Sequence, residues 1–177
     1  MEKSLIEYEN EYEYPSVHPP PADSLRASEH EIMGKACLVS ACLLGVRCRY
    51  DGRDALRPEL QALLAGRTVI PVCPEQLGGL PTPRPAAQPC GGDGHDVLDG
   101  RAAVRTDDGT DVTAQFRRGA EEVLKIAELY GADEALLKAR SPSCGCGRVW
   151  RDGAVQDGDG VTAAALKRKG IRVTAVE

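Results

Sequence analysis

Three cysteines each follow a short apolar run that is typical of a buried β-strand. Cys42 follows KACLVSA, Cys73 follows RTVIPV, and Cys144 follows EALLKARSPS. Thiolate sulfur binds soft metals, and four protein ligands complete the usual zinc or iron–sulfur site. Three convergent cysteines would therefore leave one coordination position open, and an open position allows chemistry as well as structure.

A carboxylate accompanies the second of these cysteines. Glu75 lies two residues after Cys73 in the segment VCPEQLGG. An acid or base beside a metal is a recurring arrangement in hydrolytic enzymes, so Glu75 is a candidate for proton transfer. The structural alternative is that Glu75 caps a turn or forms an ion pair with an arginine such as Arg84.

Two hydroxyls accompany the third cysteine. Ser141 and Ser143 lie just before Cys144 in SPSCGCG, where they could donate hydrogen bonds to a cluster or relay protons. The alternative is a serine-rich turn with no catalytic part. Cys146 could form a redox dithiol with Cys144, although two such close ligands to one cube are geometrically awkward.

The remaining cysteines have simpler interpretations. Cys48 lies six residues after Cys42 and competes with it for the same ligand position. Cys42 could also be a small buried hydrophobe, as free cysteine often is. Cys37 lies within an apolar run and is predicted to be a core residue. Cys90 lies in a glycine-rich segment and is predicted to be an unpaired, partly exposed thiol.

The spacing leaves a 4Fe–4S cluster, a zinc ion and no metal as possibilities. Zinc sites usually contain local pairs of cysteines two to four residues apart, often with histidine. Beyond residue 33 the chain has one histidine, His95, and no cysteine pair separated by two residues. The corners of a 4Fe–4S cube lie several Å apart, which suits scattered cysteines better.

Composition divides the chain of 177 residues into two parts. Residues 1–33 carry eight acidic and two basic side chains and become rich in proline, so they are predicted to form a disordered tail. Residues 34–177 carry 19 acidic and 20 basic side chains and are predicted to form one domain. This near-neutral part lacks the basic excess with which proteins bind nucleic acid through its phosphates.

The sequence also indicates a compartment. No apolar run approaches the roughly 20 residues that span a bilayer, so no membrane partner is expected. The acidic first residues contain no apolar core of a secretory signal. Seven cysteines is an odd number for a disulfide framework, and free or metal-bound cysteines suit a reducing cytoplasm.

Strand and helix patterns alternate beyond residue 35. Strands are predicted at 36–39, 68–72, 135–138 and 171–176, and helices at 58–65, 113–130 and 162–166, the last capped by Thr162. Residues 78–95 are predicted to be loop, and residues 96–112 a small hairpin. The alternation predicts an α/β domain with a mostly parallel sheet. Because the ends of parallel strands share one edge, the three cysteines are expected to meet there.

Five segments in one order carry a resemblance to a known family. They are LVSACLLGVRCRYDG, VCPEQLGGLPTPRPAA, GTDVTAQFRRGAE, LLKARSPSCGCG and GDGVTAAALKRKGI. Together they resemble the thiouracil desulfidase family over residues 36–177. The resemblance implies a Rossmann-like, mostly parallel sheet flanked by helices. It also implies a 4Fe–4S cluster held by Cys42, Cys73 and Cys144, with one iron not bound by the protein.

The resemblance further implies a reaction. A thiolated pyrimidine, either thiouracil or thiouridine, would become uracil or uridine with release of hydrosulfide and no net redox change. The partner would be a small thiolated pyrimidine or a thiouridine in tRNA. Glu75 would be the general base that activates water, and Ser141 or Ser143 would bind the substrate or pass a proton.

Three departures and one alternative accompany the resemblance. The stretch RVWRDGAVQDGDG is shorter than the typical loop. Gln88 stands where relatives commonly have a glutamate, and Cys146 where a small polar residue is usual. The alternative function is a non-catalytic iron–sulfur or zinc-binding module for redox sensing or protein interaction. Its fourth ligand would come from Cys48 or Cys146.

Overall fold

The computed structural model describes residues 35–177, which contain eight β-strands and five α-helices. The strands form one sheet of four strands and two sheets of two strands each. The predicted tail at residues 1–33 lies outside the described residues. The strands are β1 Cys37–Ser40, β2 Val69–Val72, β3 Ala87–Cys90, β4 Ala103–Thr106, β5 Glu134–Lys138, β6 Arg148–Arg151, β7 Ala154–Asp157 and β8 Arg172–Val176. The helices are α1 Leu60–Leu63, α2 Pro74–Leu77, α3 Gly94–Leu98, α4 Thr113–Tyr130 and α5 Val161–Arg168.

The central sheet has four parallel strands in the order β2-β1-β5-β8. In its register Leu38 of β1 pairs with Ile70 on one side and Ala135 on the other. The strands that precede the three predicted ligand cysteines are therefore direct neighbours. Their carboxyl ends open onto one edge of the sheet.

Side chains of the central strands alternate between the two faces of the sheet, as the two-residue period of a strand requires. One face packs against α4 and α5 through Leu38, Val72, Val123, Ala127, Ala135, Leu137, Ala163 and Leu166. The other packs against α1 and a one-turn 3₁₀ helix at Ala41–Leu44 through Cys37, Val39, Leu43, Leu60, Leu64 and Leu136. Helices thus cover both faces, which confirms the predicted Rossmann-like α/β fold.

The longest helix, α4, has the bounds that the sequence predicts. Its buried positions recur every three or four residues and form one apolar stripe: Phe116, Gly119, Ala120, Val123 and Ala127. Gly131 ends the helix in the left-handed region at φ 60°, where glycine carries no steric penalty.

The hairpin predicted over residues 96–112 is wrong in its first half only. In its second half Arg105 and Asp111 form an isolated antiparallel bridge, and the Val112 amide donates to the Val104 carbonyl at 2.9 Å.

In place of the first half, Asp93 begins α3, because its carboxylate accepts hydrogen bonds from the amides of His95 and Asp96. The strand β4 then pairs antiparallel with β3, which lies in the segment predicted to be loop. Burial of Val97 and Val104 favours this arrangement over a local turn between Asp-Gly pairs.

The start of α5 also differs from the prediction. Gly160 is the residue before the helix, and Thr162 is its second residue, with no capping hydrogen bond from its side chain. Thr162 is fully buried instead. None of the helices in residues 35–177 combines the length and the apolar composition needed to cross a membrane.

Candidate functional site

A cavity of about 490 Å³ lies at the carboxyl edge of the central sheet. The segments that follow β1, β2 and β5 form its floor, and the start of β3 and the β6–β7 hairpin contribute to its walls. It is lined by all the predicted ligand cysteines and by two of the three predicted catalytic residues: Cys42, Cys73, Cys144, Glu75 and Ser141.

Cys42 lies two residues beyond β1 in the 3₁₀ turn. This turn ends at Gly45, which has a φ of 92° that a side chain would disfavour. The Cys42 carbonyl accepts a hydrogen bond from the Ala55 amide at 2.9 Å, which fixes the turn against the following segment. A hydrogen bond from Cys48 lowers the pKa of the Cys42 thiol.

Cys73 follows β2 directly and is the residue before α2. Pro74 occupies the first helical position, where the lack of an amide proton costs nothing. The Cys73 thiol donates to the carbonyl of Cys48 at 3.6 Å. Its pKa is raised, first by a hydrogen bond with the Cys48 side chain and then by burial.

Cys48 lies between the other two cysteines. It is buried and also lines the cavity. Its hydrogen bond with Cys42 raises the pKa of the Cys48 thiol to about 11, although the hydrogen bond with Cys73 acts in the opposite direction. The competitor that the sequence identified for the ligand position of Cys42 thus lies in the same cavity.

Cys144 lies in a loop that is held by its own backbone and by α5. The Ser141 hydroxyl oxygen accepts hydrogen bonds from the amides of Ser143 and Cys144, at 3.2 and 3.1 Å. The Val161 amide donates to the Pro142 carbonyl at 3.1 Å. Because of burial the pKa of the Cys144 thiol is raised.

Gly160 allows the close approach of α5 to this loop. A Cβ at Gly160 would lie 2.4 Å from the carbonyl oxygen of Ser143 and 2.9 Å from the amide nitrogen of Cys144. Its own amide donates to the Gly145 carbonyl at 2.8 Å. The path of the loop through Cys144 therefore depends on a residue without a side chain.

The structure separates the two predicted serines. Ser141 lines the cavity, whereas Ser143 is buried and is not part of the cavity wall. The Ser143 hydroxyl pairs with that of Thr162 at 2.9 Å. Its position therefore gives Ser143 a structural contact with α5 and no access to a molecule in the cavity.

Glu75 forms the ion pair that the sequence raised as its structural alternative. Arg84 Nε donates to Glu75 Oε2 at 2.6 Å. Both side chains line the cavity. The pairing fixes one carboxylate oxygen and does not remove Glu75 from the site.

Several cavity residues were not identified from the sequence. They are basic or aromatic: Arg49, Tyr50, Lys138, Arg140 and Trp150. Lys138 ends β5, and the pKa of its amine is lowered first by burial and then by Arg140. Because Lys138 ends a predicted strand, its position could have indicated from the sequence that it lies at the same edge as the cysteines. The β6–β7 hairpin was not predicted, and no pattern in the sequence indicated that Trp150 would line the cavity.

The donor set of the cavity fits an iron–sulfur cluster. The cavity offers four thiols and one carboxylate. His95 forms a hydrogen bond with Asp159 and does not line the cavity. Within residues 35–177 no three His, Cys, Asp or Glu side chains converge closely enough to hold a single metal ion. Thiols at the corners of a cube lie further apart than ligands of one zinc ion do.

The other cysteines lie away from the cavity wall. Cys37 is fully buried in the core, as predicted. Cys90 ends β3 and is partly exposed, which also agrees with its interpretation as a free thiol. Cys146 is partly buried and donates to the Val173 carbonyl at 3.4 Å.

Known proteins match this chain over nearly all of its described part. Residues 37–177 match the 2-thiouracil desulfurase family. The uncharacterized protein YbbK of Bacillus subtilis (strain 168) is 43% identical over 139 residues, which cover 77% of this chain and 92% of YbbK.

A solved structure resembles the chain to a similar extent. It is that of the 4Fe–4S-dependent thiouracil desulfidase TudS, with a TM-score of 0.69 and 43% identity, covering 80% of this chain and 90% of that one. The family and this structure both indicate an enzyme. The matched range contains all five segments quoted from the sequence, and the chain belongs to the 2-thiouracil desulfurase family.

Proposed function

We propose that the protein is a 4Fe–4S-dependent enzyme that removes sulfur from thiolated pyrimidines without net redox change. Thiouracil or thiouridine would be converted to uracil or uridine, and hydrosulfide would be released. One observation carries the proposal: thiols from three neighbouring strand ends line one cavity together with a carboxylate. The 43% identity to a protein named as a 4Fe–4S-dependent thiouracil desulfidase supports the choice of cofactor and substrate.

The cluster would be held by Cys42, Cys73 and Cys144, which leaves one iron not bound by the protein. When bound, that iron supplies a soft Lewis acid with a preference for the thiocarbonyl sulfur of the substrate. Cys48 remains a neighbouring thiol in this assignment. Its hydrogen bond to Cys42 lowers the pKa of that thiol and so favours the thiolate that a metal requires.

Glu75 acts as the general base. Arg84 holds its Oε2 atom, so Oε1 is the oxygen that accepts a proton from water. The water oxygen forms a bond to the thiocarbonyl carbon as that proton leaves. The electron pair of the C=S π bond moves to sulfur, and the carbon then bears a hydroxyl and a sulfur. Sulfur takes up the proton held by Glu75, the carbon–sulfur bond breaks with its electron pair on sulfur, and hydrosulfide departs. The hydroxyl releases its proton to solvent as the product carbonyl forms, so one thiocarbonyl and one water give one carbonyl, one hydrosulfide and one proton.

Ser141 provides a second polar contact. Its oxygen accepts two backbone hydrogen bonds, and its side chain also forms a hydrogen bond with the Cys144 thiol, so the hydroxyl lies beside a proposed cluster ligand at the cavity wall. The hydroxyl can bind a substrate heteroatom or pass a proton to the departing sulfur. Ser143 is left out of this mechanism because its hydroxyl is paired with Thr162 outside the cavity wall.

The aromatic wall suits a pyrimidine ring. Tyr50 and Trp150 line the cavity and are both exposed. The Arg49 guanidinium lies over one face of the Tyr50 ring, 5.7 Å from its centroid, so Trp150 and the other face of Tyr50 are the surfaces for stacking. A base or nucleoside fits better than tRNA because residues 34–177 carry 20 basic and 19 acidic side chains, with no general excess for phosphates.

Anaerobic reconstitution followed by a turnover assay tests the proposal. We expect about four irons per chain, the content of one cube, and release of hydrosulfide from 4-thiouracil, 2-thiouracil or thiolated tRNA. In water enriched in ¹⁸O the product should gain one labelled oxygen, because water supplies the new carbonyl. A loaded protein that turns over none of these substrates would contradict the enzyme and support the cluster-binding module.

A further inference from the structure

Arg84 is a buried arginine that joins three segments around the cavity. Its Nε donates to Glu75 at 2.6 Å, and its Nη2 donates to the carbonyl of Cys48 at 3.1 Å. Its Nη1 donates to the Pro81 carbonyl at 3.1 Å and to the Thr82 hydroxyl at 3.2 Å. Each nitrogen of the guanidinium thus has a partner, and the group has one defined orientation.

The burial of this pair makes the contact strong. The Arg84 side chain is 4% exposed and that of Glu75 is 16% exposed. Among residues 35–177, Glu75 is the one carboxylate within ion-pair distance of Arg84. A buried charge is costly unless it is paired and hydrogen-bonded, so each partner restricts where the other can go.

The backbone of the same residue adds a second connection. The Arg84 amide donates to the Tyr50 carbonyl at 2.9 Å. The segment around Cys48 and Tyr50 is therefore held to Arg84 at two points. Because that segment also carries an exposed aromatic ring into the cavity, Arg84 fixes both the carboxylate and one wall of the site.

We propose that Arg84 is a positioning residue for the reaction, and this inference rests on the proposed function of Glu75. Arg84 holds one carboxylate oxygen of Glu75 and directs the other toward the water that attacks the substrate. Arg84 itself contacts no reacting atom and acts through Glu75. Misplacement of a reacting group by about 1 Å can cost roughly 10²-fold in rate, so loss of this contact is expected to lower kcat more than it raises KM.

The test compares Arg84→Met, Arg84→Lys, Glu75→Gln and the double variant Glu75→Gln/Arg84→Met. We expect Arg84→Met to lower kcat about 10²-fold with KM nearly unchanged, and Arg84→Lys to recover about tenfold of that loss. If Arg84 acts through Glu75, the double variant should be no slower than Glu75→Gln alone.

A matched control is available at the other edge of the sheet. Arg67 forms a partly buried ion pair with Glu134, away from the cavity. Arg67→Met should therefore leave kcat within about twofold of wild type while it lowers stability, as breaking such a pair does. The kcat of Arg67→Met therefore shows how much general destabilisation alone slows the reaction. Any larger loss in Arg84→Met reports the displacement of Glu75.

A second readout does not depend on turnover. In anaerobic thermal unfolding of the reconstituted protein, the double variant should lose less stability than the sum of the two single variants, because the two side chains interact. The role of Arg84 would be overturned if the stability losses of the two single variants simply added in the double variant. It would also be overturned if Arg84→Met kept the kcat of wild type while Glu75→Gln was slow. A fast Glu75→Gln variant, or no turnover by wild type, would count against the proposed function itself.

Discussion

The hydroxyl oxygens of Ser143 and Thr162 lie 2.9 Å apart, and both side chains are excluded from solvent. The backbone repeats this connection, because the Thr162 amide donates to the Ser143 carbonyl at 2.9 Å. The loop that carries Cys144 is thus fastened to the first turn of α5 by side chains and backbone together. The serine next to Cys144 stabilises the loop, whereas Ser141 faces the cavity.

Ser143→Ala should lower the free energy of unfolding by about 1–3 kcal/mol, because it leaves the buried Thr162 hydroxyl without a partner. Adding Thr162→Val removes both hydroxyls and should recover part of that loss. Urea denaturation of the protein without cluster measures both effects. Ser141→Ala is the comparison for turnover, which it should slow more than Ser143→Ala does. An equally stable Ser143→Ala protein with strongly reduced kcat would place Ser143 in the chemistry instead.

Replacing Cys42, Cys73 or Cys144 by alanine should abolish cluster binding, because each removes one of the three proposed thiolate ligands. Cys48→Ala should retain about four irons per chain. Cys90→Ala is the matched control, since this thiol does not line the cavity. Iron content and visible absorbance after anaerobic reconstitution measure the outcome. If Cys48→Ala loses the iron and Cys42→Ala keeps it, then Cys48 is the cluster ligand and Cys42 is the neighbouring thiol.

Gly160→Ala should displace the Cys144 loop, because the new methyl group would overlap the Ser143 carbonyl. We expect a loss of stability of about 1–3 kcal/mol, as for other overpacked sites, together with lower iron content after reconstitution. Gly131→Ala at the end of α4 is the control, since it strains a left-handed residue far from the loop. Equal iron content in the two variants at equal stability would contradict the dependence of the loop on Gly160.

Glu134 should make the fold sensitive to acid. Hydrogen bonds from Arg172 and then from Arg67 lower the pKa of its carboxyl below the usual 4.5. A lowered pKa in the folded state contributes stability above the unfolded value, and that contribution is lost as pH falls through the folded pKa. Wild type should therefore lose stability below about pH 4.5, and Glu134→Gln should lack that component.

The comparison is made from unfolding curves between pH 3 and pH 7. At neutral pH Glu134→Gln should be less stable than wild type by about 1–3 kcal/mol, as expected for hydrogen bonds to charged groups, and the difference should shrink toward pH 3. Glu128→Gln on the exposed side of α4 is the control and should follow wild type throughout. If the difference in stability between wild type and Glu134→Gln stayed constant from pH 7 to pH 3, the ionised form of Glu134 would contribute nothing to stability.

The sequence predicted the elements whose signals are local. The apolar stripe and the final glycine of α4 lie within one continuous segment, so its bounds could be predicted. The pairing of β3 with β4 could not, because it joins Ala87–Cys90 to Ala103–Thr106 across a helix that the Asp93 cap begins. Short strands that pair over such distances carry little pattern of their own.

The site divides in the same way. Strand-end positions were enough to bring Cys42, Cys73 and Cys144 to one edge, since that inference needs only parallel strands. The separation of Ser141 from Ser143 depends on the contact with Thr162, and the place of Trp150 depends on a hairpin. Both depend on contacts between segments that are distant in sequence, and a local pattern of residues does not indicate such contacts.

The three strand ends around the cavity come from distant parts of the chain, so the thiols can meet only after the sheet has formed. A group held by all three would bind the folded protein and have no comparable site in the unfolded chain. Binding would then shift the folding equilibrium by mass action. Iron release and unfolding should occur in one cooperative transition, and an iron-starved cell would contain a less stable form of this protein, more open to proteolysis.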